Sequence, residues 1–147
     1  MTEVAEAEAL ILKQMVLLPS KEYPLSETTG AVLRKDVEAE RDQPPFDRVT
    51  MDGIALKYLD WKQGLRCYEI IGTQGAGTPP LEINGSGKCV EIMTGAMLPD
   101  GADTVIPVER LTREKGTAIV EESADVSEGQ FVHPQGSDRV AGSRLLS

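Results

Sequence analysis

The stretch that decides the fold lies between residues 88 and 109 and reads KCVEIMTGAMLPDGADTVIPVE. Two apolar runs within it, Lys88–Thr94 and Thr104–Glu109, are each long enough for one strand. Glycine, proline and aspartate residues separate the two runs. Short apolar runs bounded by such residues are typical of strands joined by turns. The stretch therefore predicts two strands with a structured loop between them.

The same pattern extends over most of the chain. Four further apolar runs predict strands at Ile54–Leu59, Arg66–Thr73, Thr117–Glu121 and Gln130–His133. Asn84-Gly85 is a tight-turn signal, and Arg113 to Gly116 is the predicted turn of a hairpin. The 14 glycines and 9 prolines among 147 residues fit irregular β structure better than a parallel sheet covered by helices. We expect a mainly β (α+β) fold, in which coiled and bifurcated β-sheets form a small irregular β module with an N-terminal helix.

The first 19 residues are predicted to form that helix. Its apolar residues recur at steps of three and four, which is the spacing of one helix face: Val4, Ala7, Ile11, Met15 and Leu18. Thr2 is the predicted N-cap, and Pro19 is the predicted end of the helix. Leu10 and Val16 widen the apolar stripe, so the helix is expected to dock on its own core or on a partner.

Composition excludes several classes of function. The chain has 15 Lys and Arg against 24 Asp and Glu, a net charge of −9, and this balance opposes binding to a phosphate backbone. No apolar run approaches the ~20 residues of a membrane span, and the acidic first residues are unlike the basic start of a signal peptide. We expect a cytoplasmic protein that binds neither nucleic acid nor a membrane.

Few residues are available for nucleophilic or metal chemistry. His133 is the single histidine, so neither a histidine metal site nor a Ser-His-Asp triad is expected. Cys67 and Cys89 are expected to be reduced core residues, with a disulfide as the alternative. Trp61 is predicted to be a loop residue packed on the β module. The run Gly72–Gly77 lacks the pattern of a phosphate loop and is predicted to be a flexible β-loop.

Two segments, at residues 44–53 and 91–103, place carboxylates or a hydroxyl beside glycine. Their candidate residues are Asp47, Asp52, Thr94, Gly95, Asp100 and Asp103. Carboxylates beside glycine are also common in ordinary solvated turns. Composition alone therefore leaves a functional role and a turn role equally open.

Four motifs occur in a fixed order along the chain: PLSETTGAVLRKDV at Pro24–Val37, PFDRVTMDG at Pro45–Gly53, IMTGAMLPDGAD at Ile92–Asp103 and GSDRVAG at Gly136–Gly142. Together they resemble the N-terminal region of the MoeA family of molybdopterin molybdenumtransferases, which includes the gephyrin E-domain. The resemblance covers nearly the whole chain. Asp47, Asp100 and Asp103 also match family positions, but we expect turn and fold roles for these three residues.

The resemblance implies an architecture and an activity. The N-terminal helix is 1–19, a discontinuous subdomain I is 20–43 plus 128–147, and an inserted β subdomain II is 44–127. Family members continue into molybdopterin-binding domains that are absent from this chain. The parent protein would insert molybdate into adenylylated molybdopterin during molybdenum cofactor biosynthesis. The isolated 147-residue chain would be inactive.

The resemblance also implies site residues and partners. Asp52 and Thr94 would be catalytic and would reach a neighbouring active site across a homodimer. Asp52, Gly53, Thr94 and Gly95 would contact the cofactor under construction. Asp52 would hold a Mg²⁺ ion, since hard cations prefer oxygen ligands. A molybdopterin-adenylyltransferase would be the upstream partner.

Two alternatives from other classes stay open at this point. The chain could be a non-catalytic dimerisation or partner-docking module that uses its N-terminal helix and β surface. It could also be a small acidic hydrolase with paired carboxylates, although it lacks the aromatic cluster of a sugar-binding site.

Overall fold

A computed structural model describes residues 3–147 and divides them into two compact units. The first unit extends to Val37 and includes the last two residues, and the second is Glu38–Leu145. The predicted division into 1–19, 20–43 plus 128–147, and 44–127 stays a prediction.

The first unit contains helix α1, Val4–Gln14, and a short 3-10 turn at Leu25–Glu27. The predicted helix is therefore shorter than expected, since Met15 is already extended, four residues before Pro19. No residue of α1 is buried, and an unpacked helix gains little stability from added turns. Thr2, the predicted N-cap, lies outside the described residues.

The described residues form ten strands and a second helix. The strands are β1 (Val37–Glu38), β2 (Arg48–Val49), β3 (Gly53–Leu56), β4 (Cys67–Gln74), β5 (Lys88–Ile92), β6 (Thr104–Pro107), β7 (Leu111–Glu114), β8 (Thr117–Val120), β9 (Val132–His133) and β10 (Arg144–Leu146). Helix α2 is Tyr58–Lys62, and a second 3-10 turn is Val108–Arg110. None of the helices in residues 3–147 combines the length and the apolar character that crossing a membrane requires.

A curled sheet of six strands, in the order β6-β3-β5-β4-β8-β7, forms the body of the second unit. All of its pairs are antiparallel except β4 with β5. Smaller two-stranded sheets join β1 with β10 and β2 with β9. This architecture confirms the predicted mainly β fold class.

Both faces of the central strands are covered. In β3, Ile54 and Leu56 contribute to one apolar cluster and Ala55 to another. In β6, Ile106 belongs to the first of these clusters and Val105 to the second. Side chains alternate between the faces of a strand, so the sheet carries one core on each side.

The segment after β3 differs from the predicted strand Ile54–Leu59. The strand ends at Leu56 and α2 follows, and the Asp103 carboxylate accepts the N–H of Tyr58 at the start of this helix at 2.7 Å. Trp61 therefore lies on a helix rather than in a loop. It is buried in the first apolar cluster, and the Arg66 guanidinium lies 3.5 Å from its ring centroid.

The predicted hairpin at Arg113–Gly116 is confirmed, with β7 and β8 as its strands. Lys115 and Gly116 have φ of 46° and 83°, as a two-residue turn of this hand requires. The two cysteines are both free, but only Cys89 is a core residue. Cys67 is exposed, because the even-numbered positions of β4 face inward.

Candidate functional site

Asp52 and Thr94 meet at one end of the six-stranded sheet. Gly53 at the start of β3 pairs with Ile92 at the end of β5 in antiparallel register. The residue before one strand therefore lies beside the residues after the other. The Thr94 hydroxyl and the Thr94 backbone N–H both donate to Oδ1 of Asp52, at 2.6 and 2.7 Å.

These two bonds stabilise the ionised form of the Asp52 carboxylate. The hydroxyl bond from Thr94 is the larger cause and the amide bond the smaller, and together they hold the pKa of Asp52 below its ordinary value of 3.8. Both side chains are exposed. Within residues 3–147 no hydrogen bond reaches the other oxygen, Oδ2. The site thus presents an ionised carboxylate with one oxygen fixed and the other accessible.

The two glycines of the predicted site have backbone reasons for being glycine. A Cβ on Gly53 would collide with the backbone carbonyl of Ile106 in β6. Gly95 has a φ of +85°, which disfavours other residues, and its N–H donates to the Val49 carbonyl at 2.9 Å. A cofactor contact at Gly53 or Gly95 stays a prediction.

Gln74 anchors the loop that carries Thr94, and sequence reasoning missed it. Its side-chain amide donates to the Met97 carbonyl at 2.6 Å, and its Oε1 accepts the Leu81 N–H at 2.7 Å. The side chain is 1% exposed. The flexible β-loop predicted at Gly72–Gly77 is therefore wrong for its first half, which belongs to β4. The sequence did contain an indication of this role. Gln74 lies six positions after Tyr68 in β4, and side chains an even number of positions apart in a strand lie on the same face, which here is the buried one.

An open depression of about 310 Å³ lies at the Thr94 loop. The residues that line it are Arg48, Val49, Thr50, Thr94 and Gly95. The Val49 N–H donates to the Ala96 carbonyl at 2.9 Å, so the strand that carries Arg48 is tied directly to the loop. Arg48 was not predicted as a site residue.

Two of the other candidate aspartates use their carboxylates for contacts within the fold. Asp47 accepts the Gln135 N–H at 2.8 Å, and Asp103 accepts the Tyr58 N–H at the start of α2. The backbone carbonyl of Asp100 accepts the N–H of Ile83 at 2.8 Å. The contacts of Asp47 and Asp103 agree with the turn and fold roles expected of them, and the role of the Asp100 carboxylate stays a prediction.

Asp52 is the predicted metal ligand. Within residues 3–147 no three His, Cys, Asp or Glu side chains converge in a way that could hold an ion. Asp52 can supply one carboxylate oxygen, and Mg²⁺ commonly takes its remaining ligands from waters and substrate phosphates. The chemistry of the residue fits a hard cation, and the binding of Mg²⁺ at Asp52 stays a prediction.

Comparisons with known proteins agree on one family. A family model described as the MoeA N-terminal region (domain I and II) matches residues 2–147. A molybdopterin molybdenumtransferase of Synechocystis is 42% identical over 117 residues, which are 80% of this chain and 30% of that protein. One of Synechococcus elongatus is 36% identical over 146 residues, covering 94% of this chain and 36% of the relative.

A solved structure shows the same relation. The crystal structure of a molybdopterin biosynthesis MoeA protein from Pyrococcus horikoshii superposes with a TM-score of 0.79 at 31% identity. The match covers 97% of this chain and 37% of that protein. This chain thus spans about a third of the length of these relatives.

Proposed function

The chain belongs to the MoeA N-terminal region family, and from that premise we propose that it serves a molybdopterin molybdenumtransferase in molybdenum cofactor biosynthesis. In the proposed reaction, molybdate is inserted at the dithiolene of adenylylated molybdopterin as the adenylyl group is hydrolysed. The chain supplies site residues, and the remaining two thirds of a protein of the relatives' length supplies most of the substrate binding. The 147 residues alone are then inactive.

The observation that carries this proposal is the Asp52–Thr94 pair. An exposed carboxylate with a lowered pKa, fixed through one oxygen by two donors, is suited to an electrostatic role at neutral pH. The pair is held on strand ends and a tied loop, so its geometry exists before substrate arrives.

Each member of the pair has a separate task. The Thr94 hydroxyl donates its hydrogen bond to Asp52, and its oxygen lone pairs can still accept a hydrogen bond from a substrate group. Asp52 would be one ligand of the Mg²⁺ ion, which when bound would neutralise phosphate charge. A homodimer that brings Asp52 and Thr94 to a neighbour's site, a cytoplasmic location and an upstream molybdopterin-adenylyltransferase complete the proposal.

Substitutions in the longer protein that carries this chain test the proposal. We expect Asp52→Asn to lower the rate of molybdate insertion by about 100-fold or more, the range seen for removal of a catalytic carboxylate. Asp47→Asn is the matched control, because Asp47 is also exposed and its amide replacement can still accept the Gln135 N–H. Insertion at the wild-type rate by Asp52→Asn would refute the assigned role.

One observation favours a second candidate, a dimerisation or docking module. Apolar side chains of α1 and the residues after it are exposed by half or more, among them Leu10, Ile11, Val16 and Leu17. Exposed apolar surface of this kind often marks an interface. Light scattering of the chain at several concentrations tests this function. Self-association that Val16→Ser and Leu17→Ser abolish would support it, and a monomer at every concentration would refute it.

A further inference from the structure

Arg48 and His133 form a side-chain contact beside the Asp52–Thr94 pair. Arg48 in β2 is directly opposite His133 in β9, so the two side chains occupy the same face of this small sheet. Nη2 of Arg48 lies 3.2 Å from Nδ1 of His133. On the other side of the ring, Nε2 lies 3.0 Å from Oδ1 of Asp138.

Arg48, His133 and Asp138 form a chain of three side chains. A guanidinium can only donate hydrogen bonds, so a hydrogen bond between Arg48 and His133 uses Nδ1 as its acceptor. Nε2, on the opposite side of the ring, faces the Asp138 carboxylate. The His133 ring thus links Arg48 to Asp138.

Arg48 forms no ion pair with a carboxylate within residues 3–147. Arg66, Arg110 and Arg113 each have a glutamate within ion-pair distance. Other exposed arginines in the described residues also lack one, so the distinguishing feature of Arg48 is its position at the open depression. The guanidinium keeps several N–H donors for an incoming ligand.

The surroundings indicate the class of that ligand. Arg48 lines the depression together with Thr50, Thr94 and Gly95. A planar guanidinium matches two oxygens of a tetrahedral anion with two parallel hydrogen bonds. The neighbouring Asp52 already accepts two hydrogen bonds through Oδ1.

We propose that Arg48 is an anion-binding residue of this depression, positioned by His133 and Asp138, and that its ligand is a tetrahedral oxyanion. The anion is free molybdate or the phosphate group of the adenylylated substrate. The choice of these two candidates rests on the proposed function, whereas the anion site itself rests on the geometry.

A binding experiment on the 147-residue chain tests the site. Sodium molybdate, inorganic phosphate and AMP are titrated separately, and binding is followed by NMR at the Thr94 and Gly95 amides. We expect saturable chemical-shift changes in the wild type. The affinity obtained from them should fall at least tenfold in Arg48→Gln, and it should fall less in Arg48→Lys, which keeps the charge. Arg110→Gln is the control, since it removes the same charge from an arginine paired with Glu121.

The three titrations separate the sources of the anion. Saturation by molybdate but not by AMP assigns Arg48 to the free oxyanion, and saturation by AMP or phosphate assigns it to the phosphate group. The absence of saturable shifts with all three anions would overturn the proposal, and so would unchanged affinity in Arg48→Gln. The alternative, in which Arg48 only ties β2 to β9, predicts lower stability with no effect on anion affinity in any stable variant.

The positioning role of His133 has its own readout. His133→Phe should weaken anion binding several-fold, and His133→Gln should restore part of it, because the amide oxygen can accept from Arg48. Equal affinities in the two variants would refute positioning by His133.

These results are independent of the insertion assay on Asp52. Full loss of insertion in Asp52→Asn together with unchanged anion affinity in Arg48→Gln would remove the anion site and leave the proposed function intact. Wild-type insertion in Asp52→Asn together with weakened anion binding in Arg48→Gln would refute the proposed function and leave the anion site intact.

Discussion

Replacement of Gln74 by methionine removes two side-chain bonds, one to the loop that follows Thr94 and one to the segment that follows β4. The Met97 carbonyl loses its donor at 2.6 Å, and the Leu81 N–H loses its acceptor at 2.7 Å. Methionine has a similar length and shape, so the backbone groups lose their partners without a large cavity. Because the Gln74 side chain is 1% exposed, water has little access to replace those bonds.

The expected cost follows from these contacts. A buried donor or acceptor left without a partner costs about 1–3 kcal/mol, so two such groups cost about 2–6 kcal/mol. Burying the more apolar methionine side chain returns about 1–2 kcal/mol. The difference lies between about 0 and 5 kcal/mol, and we expect Gln74→Met to lower the free energy of unfolding by about 2–3 kcal/mol, the middle of that range. This is a large share of the stability of a small domain.

Urea denaturation at equilibrium measures the change in free energy, and amide hydrogen exchange at Gly95 reports on the loop. Gln63→Met is the control, because Gln63 is exposed at the end of α2, and it should change stability by less than about 0.5 kcal/mol. If Gln74→Met costs no more than the control and leaves Gly95 protected, the loop does not depend on Gln74 and the reasoning is wrong.

Three further predictions concern the same unit. Gly53→Ala should cost at least about 2 kcal/mol, because its Cβ meets a backbone carbonyl that cannot yield; an unchanged thermal midpoint would contradict this. Thr94→Val removes the main cause that lowers the pKa of Asp52, so carboxyl ¹³C titration should show that pKa rising toward 3.8. The pKa of Asp52 is lower in the folded chain than in the unfolded chain, so its ionised form stabilises the folded chain at pH values above 3.8. This stabilisation should be lost in the wild type as the pH falls below 3.8, and it should be smaller in the variant. Iodoacetamide should modify exposed Cys67 in the folded chain and spare Cys89, whose pKa burial raises to about 12; mass spectrometry showing equal labelling would refute this.

The strands formed by longer apolar runs could be predicted from the sequence, whereas their ends could not. The apolar runs at 88–94 and 104–109 do contain β5 and β6, but both strands stop two residues early. The start of α2, directly after β3, is held by Asp103, whose carboxylate accepts the Tyr58 N–H across 45 positions of the chain. A local pattern contains no information on such a distant cap.

The site was predictable to a similar degree. Asp52 and Thr94 were named through resemblance to a family, and the strand register supplies the physical reason for their contact. Arg48 and His133 are 85 positions apart and meet only because β2 pairs with β9. Two-residue strands leave no periodicity in the sequence, so that pairing could not have been predicted.

The Asp52–Thr94 pair is positioned from two directions, and this explains the character of the residues around it. On one side, the absence of a side chain at Gly53 lets β3 approach β6 closely, and the Val108 N–H fixes the Asp52 carbonyl at 3.0 Å. On the other side, Gln74 fixes the loop that follows Thr94. An exposed hydrogen bond between two short side chains would be weak if either backbone could move. The buried residues beneath the pair therefore determine how well an exposed carboxylate is held, and a change beneath the surface can alter the site without touching a substrate.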